Sequence, residues 1–411
     1  MQLQRWLRIS LFNLLLIALI GLVMRYKIIY PLPFVDQRNL LHAHSHFAFA
    51  GWLTQVLMSL LVSRLTTVNG RDNFRRYNPV LYGNLITAYG MLLTFPFQGY
   101  AFLSILFSTL SIGVSYWFAI QYWRDLNRSA ARNISHRWFK AALLFNAVSS
   151  AGAFSLAYML ATHSAHSERY LASVYFFLHF QYNGWFFFAC MGLLSFHLSA
   201  WGASEKKLKL VYLLFLSACV PAYFLSALWL PVPGWAYVLV VAAVCAQMAG
   251  WAFCLLIIRK ALPVMKKQLS SFARLLLVCS AAALTIKLCL QSGSVIPPLS
   301  RLAFGFRPIV IGYLHLVLLG VITLFLLGYI ISFRMVPVSS LFKTGCLLFA
   351  GGIILNELLL MVQGIADLGY RPLPSVNHLL LAAALVLFTG MLIINLGCSG
   401  KYDPAHKLPE K

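Results

Sequence analysis

Residues 308–332 read PIVIGYLHLVLLGVITLFLLGYIIS, an apolar run that contains no charged side chain. A helix rises 1.5 Å per residue, so about twenty such residues cross a hydrocarbon core of ~30 Å. Similar runs recur along the chain, of which 61% is hydrophobic and only 10% is charged. The sequence therefore predicts an all-α, polytopic membrane bundle.

The apolar runs predict about twelve transmembrane helices. Their expected positions are residues 8–25, 42–64, 79–97, 100–123, 140–162, 170–199, 208–230, 235–258, 273–291, 308–332, 342–364 and 376–396. Because no linker separates these runs, we expect a single transmembrane domain over residues 1–400. The polar residues 401–411 form a predicted cytoplasmic tail.

The net charge of +23 follows the predicted topology. Counting from the N-terminus, alternate loops hold 24 of the 32 Lys and Arg residues. Cytoplasmic loops of membrane proteins carry this excess, which predicts that both ends lie inside and that the protein resides in the inner (plasma) membrane. The basic residues are interpreted as topology signals and contacts with anionic lipids. They indicate no nucleic-acid partner.

The eleven histidines are unevenly distributed in this topology. Eight lie in the predicted outer third, namely His42, His44, His46, His163, His166, His179, His315 and His378. The other three, His136, His197 and His406, are interpreted as structural residues. A histidine within a membrane is costly and usually faces a cavity, a metal or a polar partner.

Neutral imidazole is the commonest protein ligand for haem iron and copper. His46 and His315 are expected at matched depth, as two axial ligands of one haem require. His42 and His46 share a helix face through their i, i+4 spacing, whereas His44 points to the other side. We favour His46 or His42 as the partner of His315, and His44 stays open because the helix start is uncertain. The alternative is that each histidine forms a hydrogen bond between helices.

These motifs resemble the haem–copper oxidase superfamily, which comprises subunit I of respiratory oxidases and the large subunit of nitric oxide reductases. The matching stretches are residues 41–47 (LHAHSHF), 313–315 (YLH) and 178–185 (LHFQYNGW). The resemblance implies a low-spin haem bound by a helix 2 histidine and His315. It also implies a copper-ligating role for His179, with Tyr182 close by. The start of helix 2 is similar to NnrS-type membrane haem proteins as well.

Two departures from the family concern the copper site. Residues 217–223 (SACVPAY) lack the adjacent histidine pair of the family's helix 7, and Tyr313 replaces the first histidine of its His-x-His motif. Tyrosine can ligate haem iron, but Tyr313 is interpreted as a hydrogen-bonding neighbour of the haem. The resemblance therefore implies a haem and, with an incomplete ligand set, copper.

Charged residues add further candidates for the site. Glu357 lies inside a predicted helix near the histidines, where a carboxyl group suits a proton carrier or a partner of histidine. With Tyr182, it is the candidate for a catalytic role. Lys287 is expected to snorkel or to pair with Glu357. The predicted outer arginines would bind haem propionates, and they are Arg301, Arg307 and Arg371.

Three functions are compatible with the sequence. The first is a haem protein that transfers electrons or that binds or reduces a diatomic gas, served by an electron-donor protein or a quinol. The second is a transporter whose histidines carry a metal ion or protons. No internal repeat and no polar path through the inner half are evident, which disfavours the transporter. The third is an assembly or scaffold subunit, so enzymatic activity stays open.

The predicted topology is testable with reporter fusions. Fusions after Arg76, Arg132 and Lys207 should report the cytoplasm, and a fusion after His166 should report the periplasm. A cytoplasmic signal after His166 would remove the argument for an outer layer of histidines.

Overall fold

The computed structural model describes residues 2–69, 72–129, 133–162, 164, 167–230, 233–296, 298–299, 306–371 and 373–398. The predicted tail 401–411 lies outside the described residues, as do five residues discussed above, Arg132, His163, His166, Arg301 and His406. All regular elements within the described ranges are helical, which confirms the predicted all-α class.

The described helical segments group into twelve units, which we label α1 to α12. They are α1 (Gln2–Ile29), α2 (Gln37–Phe47, Ala48–Thr54 and Gln55–Asn69), α3 (Phe74–Gln98), α4 (Phe102–Arg128), α5 (Ile134–Ala161), α6 (Ser167–His179, Phe180–Phe186 and Phe187–Ala200), α7 (Glu205–Cys219 and Pro221–Ala227), α8 (Gly234–Gln268), α9 (Ser271–Gly293), α10 (Arg307–His315, Leu316–Thr323 and Leu324–Ser332), α11 (Ser340–Leu368) and α12 (Val376–Gly397).

Ten helices in the described chain are long and apolar enough to cross a membrane. The count rises to eleven if α7, which bends by 43° at Pro221, forms one span. Proline removes a backbone donor and clashes with the preceding turn, which explains the bend. α6 is not among the ten, and the polar side chains of His179, Gln181 and Asn183 interrupt its apolar sequence. The chain is thus a helical membrane protein.

The start of α2 is fixed by an N-cap. The Asp36 side chain accepts a hydrogen bond from the backbone N–H of Asn39 at 2.7 Å, so the helix begins at Gln37 rather than at the predicted residue 42. An aspartate at this position satisfies a backbone donor that has no partner inside the helix. The histidines from His42 to His46 therefore lie inside a formed helix, and their spacing defines real faces.

Three helices share an internal repeat that the sequence analysis did not recognise. α2, α6 and α10 each contain a π-helical segment, which begins at Ala48, Phe180 and Leu316 respectively. In each helix a histidine lies just before this segment, and a glycine follows five residues after the histidine. The pattern His-x-x-x-x-Gly is seen in residues 46–52 (HFAFAGW), 179–185 (HFQYNGW) and 315–321 (HLVLLGV). Because the three helices are separated by equal numbers of helical units, the repeat has a period of four helices.

Each π-helical turn changes the backbone pairing and leaves carbonyl groups to be satisfied from outside. In α2, Asn84 donates to the carbonyl of Ala50 at 3.0 Å and Asn13 donates to that of Gly51. In α10, the Ser280 hydroxyl donates to the carbonyl of Val321 at 2.7 Å. Polar side chains on α1, α3 and α9 therefore stabilise the irregular turns inside an apolar bundle.

The same segments bind the three helices to one another. The indole N–H of Trp52 in α2 donates to the Thr323 hydroxyl of α10 at 3.0 Å. The indole of Trp185 in α6 donates to Thr54 of α2 at 3.3 Å. The π-helical segments of α6 and α10 are also in contact. α2, α6 and α10 thus form the centre of the bundle.

The remaining helices surround this centre. α1 packs against α12, and the Asn395 amide donates to the carbonyl of Leu11 at 3.1 Å, which brings the two ends of the described chain together. One hydrophobic core extends from Trp6 to Cys398. Large apolar side chains cover the outside, among them Phe97 and Val278, as a lipid-facing surface requires.

We expect Asn84→Ala to lower the free energy of unfolding by about 1–3 kcal/mol, because it leaves the buried Ala50 carbonyl without its partner. The measurement is the unfolding midpoint in mixed detergent and dodecyl sulfate. The matched control is Asn127→Ala, whose exposed side chain accepts a hydrogen bond from Lys140 and should change stability by at most about 0.5 kcal/mol. Equal effects of both variants would contradict the proposed role of Asn84.

Candidate functional site

His42 and His46 lie on one face of α2, as their spacing predicts, and both contact the α3–α4 connection. The His46 ring stacks on Phe95 with centroids 4.5 Å apart, and its Nε2 lies 3.1 Å from the Tyr100 hydroxyl. His42 packs edge-on against Tyr100 at 4.6 Å. These contacts turn both rings away from α10.

His44 occupies the opposite face of α2, toward α1 and α10. Its Cε1 atom lies 3.4 Å from where a side chain on Gly21 of α1 would begin. Its imidazole is within electrostatic range of His315 on α10. The Nδ1 atoms of His44 and His315 are buried and make no hydrogen bond to the described residues. Among the three helix 2 histidines, the structure therefore brings His44 rather than the favoured His42 or His46 toward His315.

One stripe of α1 covers the two histidines. Ile17, Gly21 and Arg25 follow each other at i, i+4 spacing and so lie on one helix face. The Ile17 carbonyl interacts with His44, and the Arg25 guanidinium is within electrostatic range of His315 and of Arg307. Arg25 is therefore a cation close to His315, and Arg307 at the start of α10 lies close to Arg25.

A cavity of about 560 Å³ opens between α1 and α12, on a different face of α1 from this stripe. Its lining is almost entirely apolar and includes Leu22, Val23, Tyr26 and His378. The volume and the apolar walls suit a flat hydrophobic ligand.

Arg371, a predicted propionate partner, is exposed and follows Tyr370 at the end of α11, where its backbone N–H donates to the Ala366 carbonyl at 2.9 Å. Arg25 is a further cation within electrostatic range of His315. The sequence does not predict this role for Arg25, because α1 carries no pattern showing that it covers the histidines.

Tyr182 and Tyr313 form a pair between α6 and α10. Their rings meet edge-on at 6.2 Å, and their hydroxyl groups are hydrogen-bonded, with Ser226 of α7 as a further partner of Tyr182. This geometry agrees with the interpretation of Tyr313 as a hydrogen-bonding neighbour. Glu357 accepts from the Asn356 amide at 3.1 Å and lies close to Gly312 of α10, in the region predicted for it.

His179 has partners for both ring nitrogens. Nε2 lies 2.8 Å from the Cys219 carbonyl, and Nδ1 lies 3.2 Å from the Asn183 amide. A copper ligand needs a free nitrogen lone pair and further donors close by, whereas Lys287 places a cation within electrostatic range of this ring. The surroundings of His179 therefore do not fit copper. The histidines of α2 contact other neighbours, namely Gly21 of α1 for His44 and Phe95 and Tyr100 for His42 and His46.

Both predictions for Lys287, snorkelling and pairing with Glu357, are wrong. It neither snorkels nor pairs with Glu357, because it is only 5% exposed and faces α6, α7 and α8 rather than α11. The sequence could not show this, since helix orientation depends on tertiary packing.

A polar network that the sequence did not predict lies where α3 begins and α4 ends. Arg76 forms an ion pair with Asp125 at 2.9 Å, and the Tyr77 hydroxyl donates to the same carboxylate at 2.7 Å. Further into the bundle, His197 is hydrogen-bonded to the Tyr329 hydroxyl at 3.0 Å.

No group of three or more His, Cys, Asp or Glu side chains that could hold a metal ion occurs among the described residues. A haem with two axial histidines needs only two protein ligands, so this result does not bear on the His44–His315 pair. Comparison with protein-family models gives no match, and comparison with curated proteins finds none similar to the chain. The fold defines the class of the protein as a helical integral membrane protein.

Double-mutant analysis tests the tyrosine pair. Tyr182→Phe and Tyr313→Phe remove the same buried hydrogen bond, so their effects on the unfolding free energy should be non-additive by about 0.5–1.5 kcal/mol. Tyr158 is exposed on α5 and supplies the control, because Tyr158→Phe should add to Tyr182→Phe within about 0.5 kcal/mol. Additive effects for Tyr182 and Tyr313 would argue against the bond.

Proposed function

We propose that this protein is a haem-binding membrane protein of the haem–copper oxidase type, with His44 and His315 as axial ligands of one low-spin haem. In this proposal it has twelve spans in the inner membrane and both ends in the cytoplasm. The observation that carries it is the pairing of these two histidines, each with a buried Nδ1 that has no partner among the described residues. Polar atoms in an apolar interior are normally satisfied, so these two open Nδ1 atoms are compatible with an added ligand. Each ring also interacts with a backbone carbonyl, that of Ile17 for His44 and that of Ile311 for His315.

The surrounding residues fit a haem. Gly21 leaves space over the His44 ring, which a larger side chain at this position of α1 would narrow. Arg25 and Arg307 provide the cations that propionate groups need. When bound, the haem would supply a one-electron carrier.

The protein side chains would position and insulate this group. α2 and α10 hold the ligands at a fixed separation because their π-helical segments are joined through Trp52 and Thr323. The α1 stripe shields one side of the pair from lipid. Since the surroundings of His179 do not fit copper, electron transfer or gas binding is favoured over reduction at a haem–copper centre. An electron-donor protein or a quinol is the proposed partner.

Absorption spectra of the detergent-purified protein, oxidised and reduced, test the proposal. The wild type should show a low-spin haem spectrum, and His44→Ala and His315→Ala should each abolish it, because a single imidazole cannot keep six-coordinate low-spin iron. His46→Ala should retain the spectrum, since His46 stacks on Phe95 instead.

Membrane insertion of each variant is checked by its elution from size exclusion chromatography. Added imidazole should restore the low-spin spectrum of His315→Gly, which separates a lost ligand from a lost fold. A wild type without haem would end the proposal. A His46→Ala variant that loses the spectrum while His44→Ala keeps it would return the ligand role to the other face of α2.

A second candidate is the transport of protons or a metal ion. It is supported by the polar network of Arg76, Asp125, Tyr77, His197 and Tyr329, which gives the inner half of the bundle titratable side chains. Uptake into proteoliposomes by haem-free protein, lost in Asp125→Asn, would favour this function.

A further inference from the structure

Lys287 lies on α9, one helical turn before Gln291, and faces a small void between α6, α7, α8 and α9. The void measures about 10 Å³, and its polar lining consists of Asn183, Cys219, Gln247 and Lys287. Phenylalanine and leucine side chains form the rest of its wall. The group is separate from the proposed haem site, whose residues belong to α1, α2 and α10.

The Lys287 ammonium has no counter-charge in the described part of the bundle. No hydrogen bond or ion pair involves its Nζ atom, and no carboxylate lines the void. Its electrostatic neighbours are Cys219 and His179. The Cys219 sulfur acts as a thiol donor toward the Asn183 carbonyl at 3.9 Å, so it does not provide a negative charge. A buried, unpaired cation is strongly unfavourable, which requires either a neutral amine or a bound anion.

Hydrogen-bond donors converge on the same void. Gln291 donates through its Nε2 to the Oε1 of Gln247 at 2.9 Å, which fixes the Gln247 amide and leaves its own NH₂ group to donate. The Gln247 and Lys287 donors thus point to a ligand that accepts hydrogen bonds. The void is close to the space that one water molecule needs, so an anion enters it only if the side chains move, and the smallest anions require the least movement. The positive charge also disfavours a metal ion.

We propose that the Lys287 pocket is a binding site for one small monovalent anion of the size of chloride. The Lys287 ammonium supplies the counter-charge, and the Gln247 amide supplies a second donor. Both side chains are flexible enough to move apart for an ion larger than water.

The experiment measures retention of radioactive chloride by the full-length purified protein in a scintillation proximity assay, with gluconate as the exchange anion. The wild type should bind about one chloride per chain, and chloride should raise its Tm above that in gluconate. Lys287→Met should weaken chloride binding by about 10- to 100-fold, the loss of a charge-assisted hydrogen bond. Its Tm should no longer depend on the anion.

Lys207→Met is the control, because Lys207 is an exposed lysine of α7 and should leave chloride binding unchanged. Gln247→Leu provides a second variant with weakened binding in case Lys287→Met does not fold. Wild-type protein that retains no chloride and has equal Tm values in both anions would show that Lys287 is neutral and would overturn the proposal. Equal chloride binding by wild type and Lys287→Met would overturn it as well. None of these outcomes depends on haem content, so they do not test the proposed function.

Discussion

The central constraint on this protein is that irregular backbone turns must be satisfied within an apolar bundle. α2, α6 and α10 each contain a π-helical segment, and lipid offers no water to pair with the carbonyl groups that such segments release. Asn13, Asn84 and Ser280 supply those partners from neighbouring helices. The positions of α1, α3 and α9 around the centre follow from these contacts.

The candidate haem site follows from the same arrangement. The link between Trp52 and Thr323 holds α2 beside α10, and this orientation of α2 turns one face to α10 and the other to Phe95 and Tyr100. A histidine of α2 can approach His315 only from the face that turns toward α10. His44 therefore faces it, although it was the less favoured residue from spacing alone.

Two buried charges show how the bundle treats polar groups differently. Asp125 lies at one end with a cation and a tyrosine hydroxyl as partners, so its charge is compensated by the protein. Lys287 has no such partner in the described chain, and its neighbours are a thiol, amides and aromatic rings. The charge of Asp125 is therefore balanced within the protein, whereas Lys287 requires either a bound anion or a neutral amine.

The sequence by itself determined the helical membrane class, the approximate positions of the helical units and the residues that deserve attention. Length and hydropathy suffice for these, because every span must cover the same hydrocarbon thickness. It also predicted that His42 and His46 share a face, which depends only on helix geometry. Tertiary structure decided which face of α2 turns toward α10, that Arg25 lies near His315, and that Lys287 is buried away from Glu357. These features depend on how each helix is rotated about its axis, and hydropathy is nearly uniform around helices surrounded by lipid and protein alike.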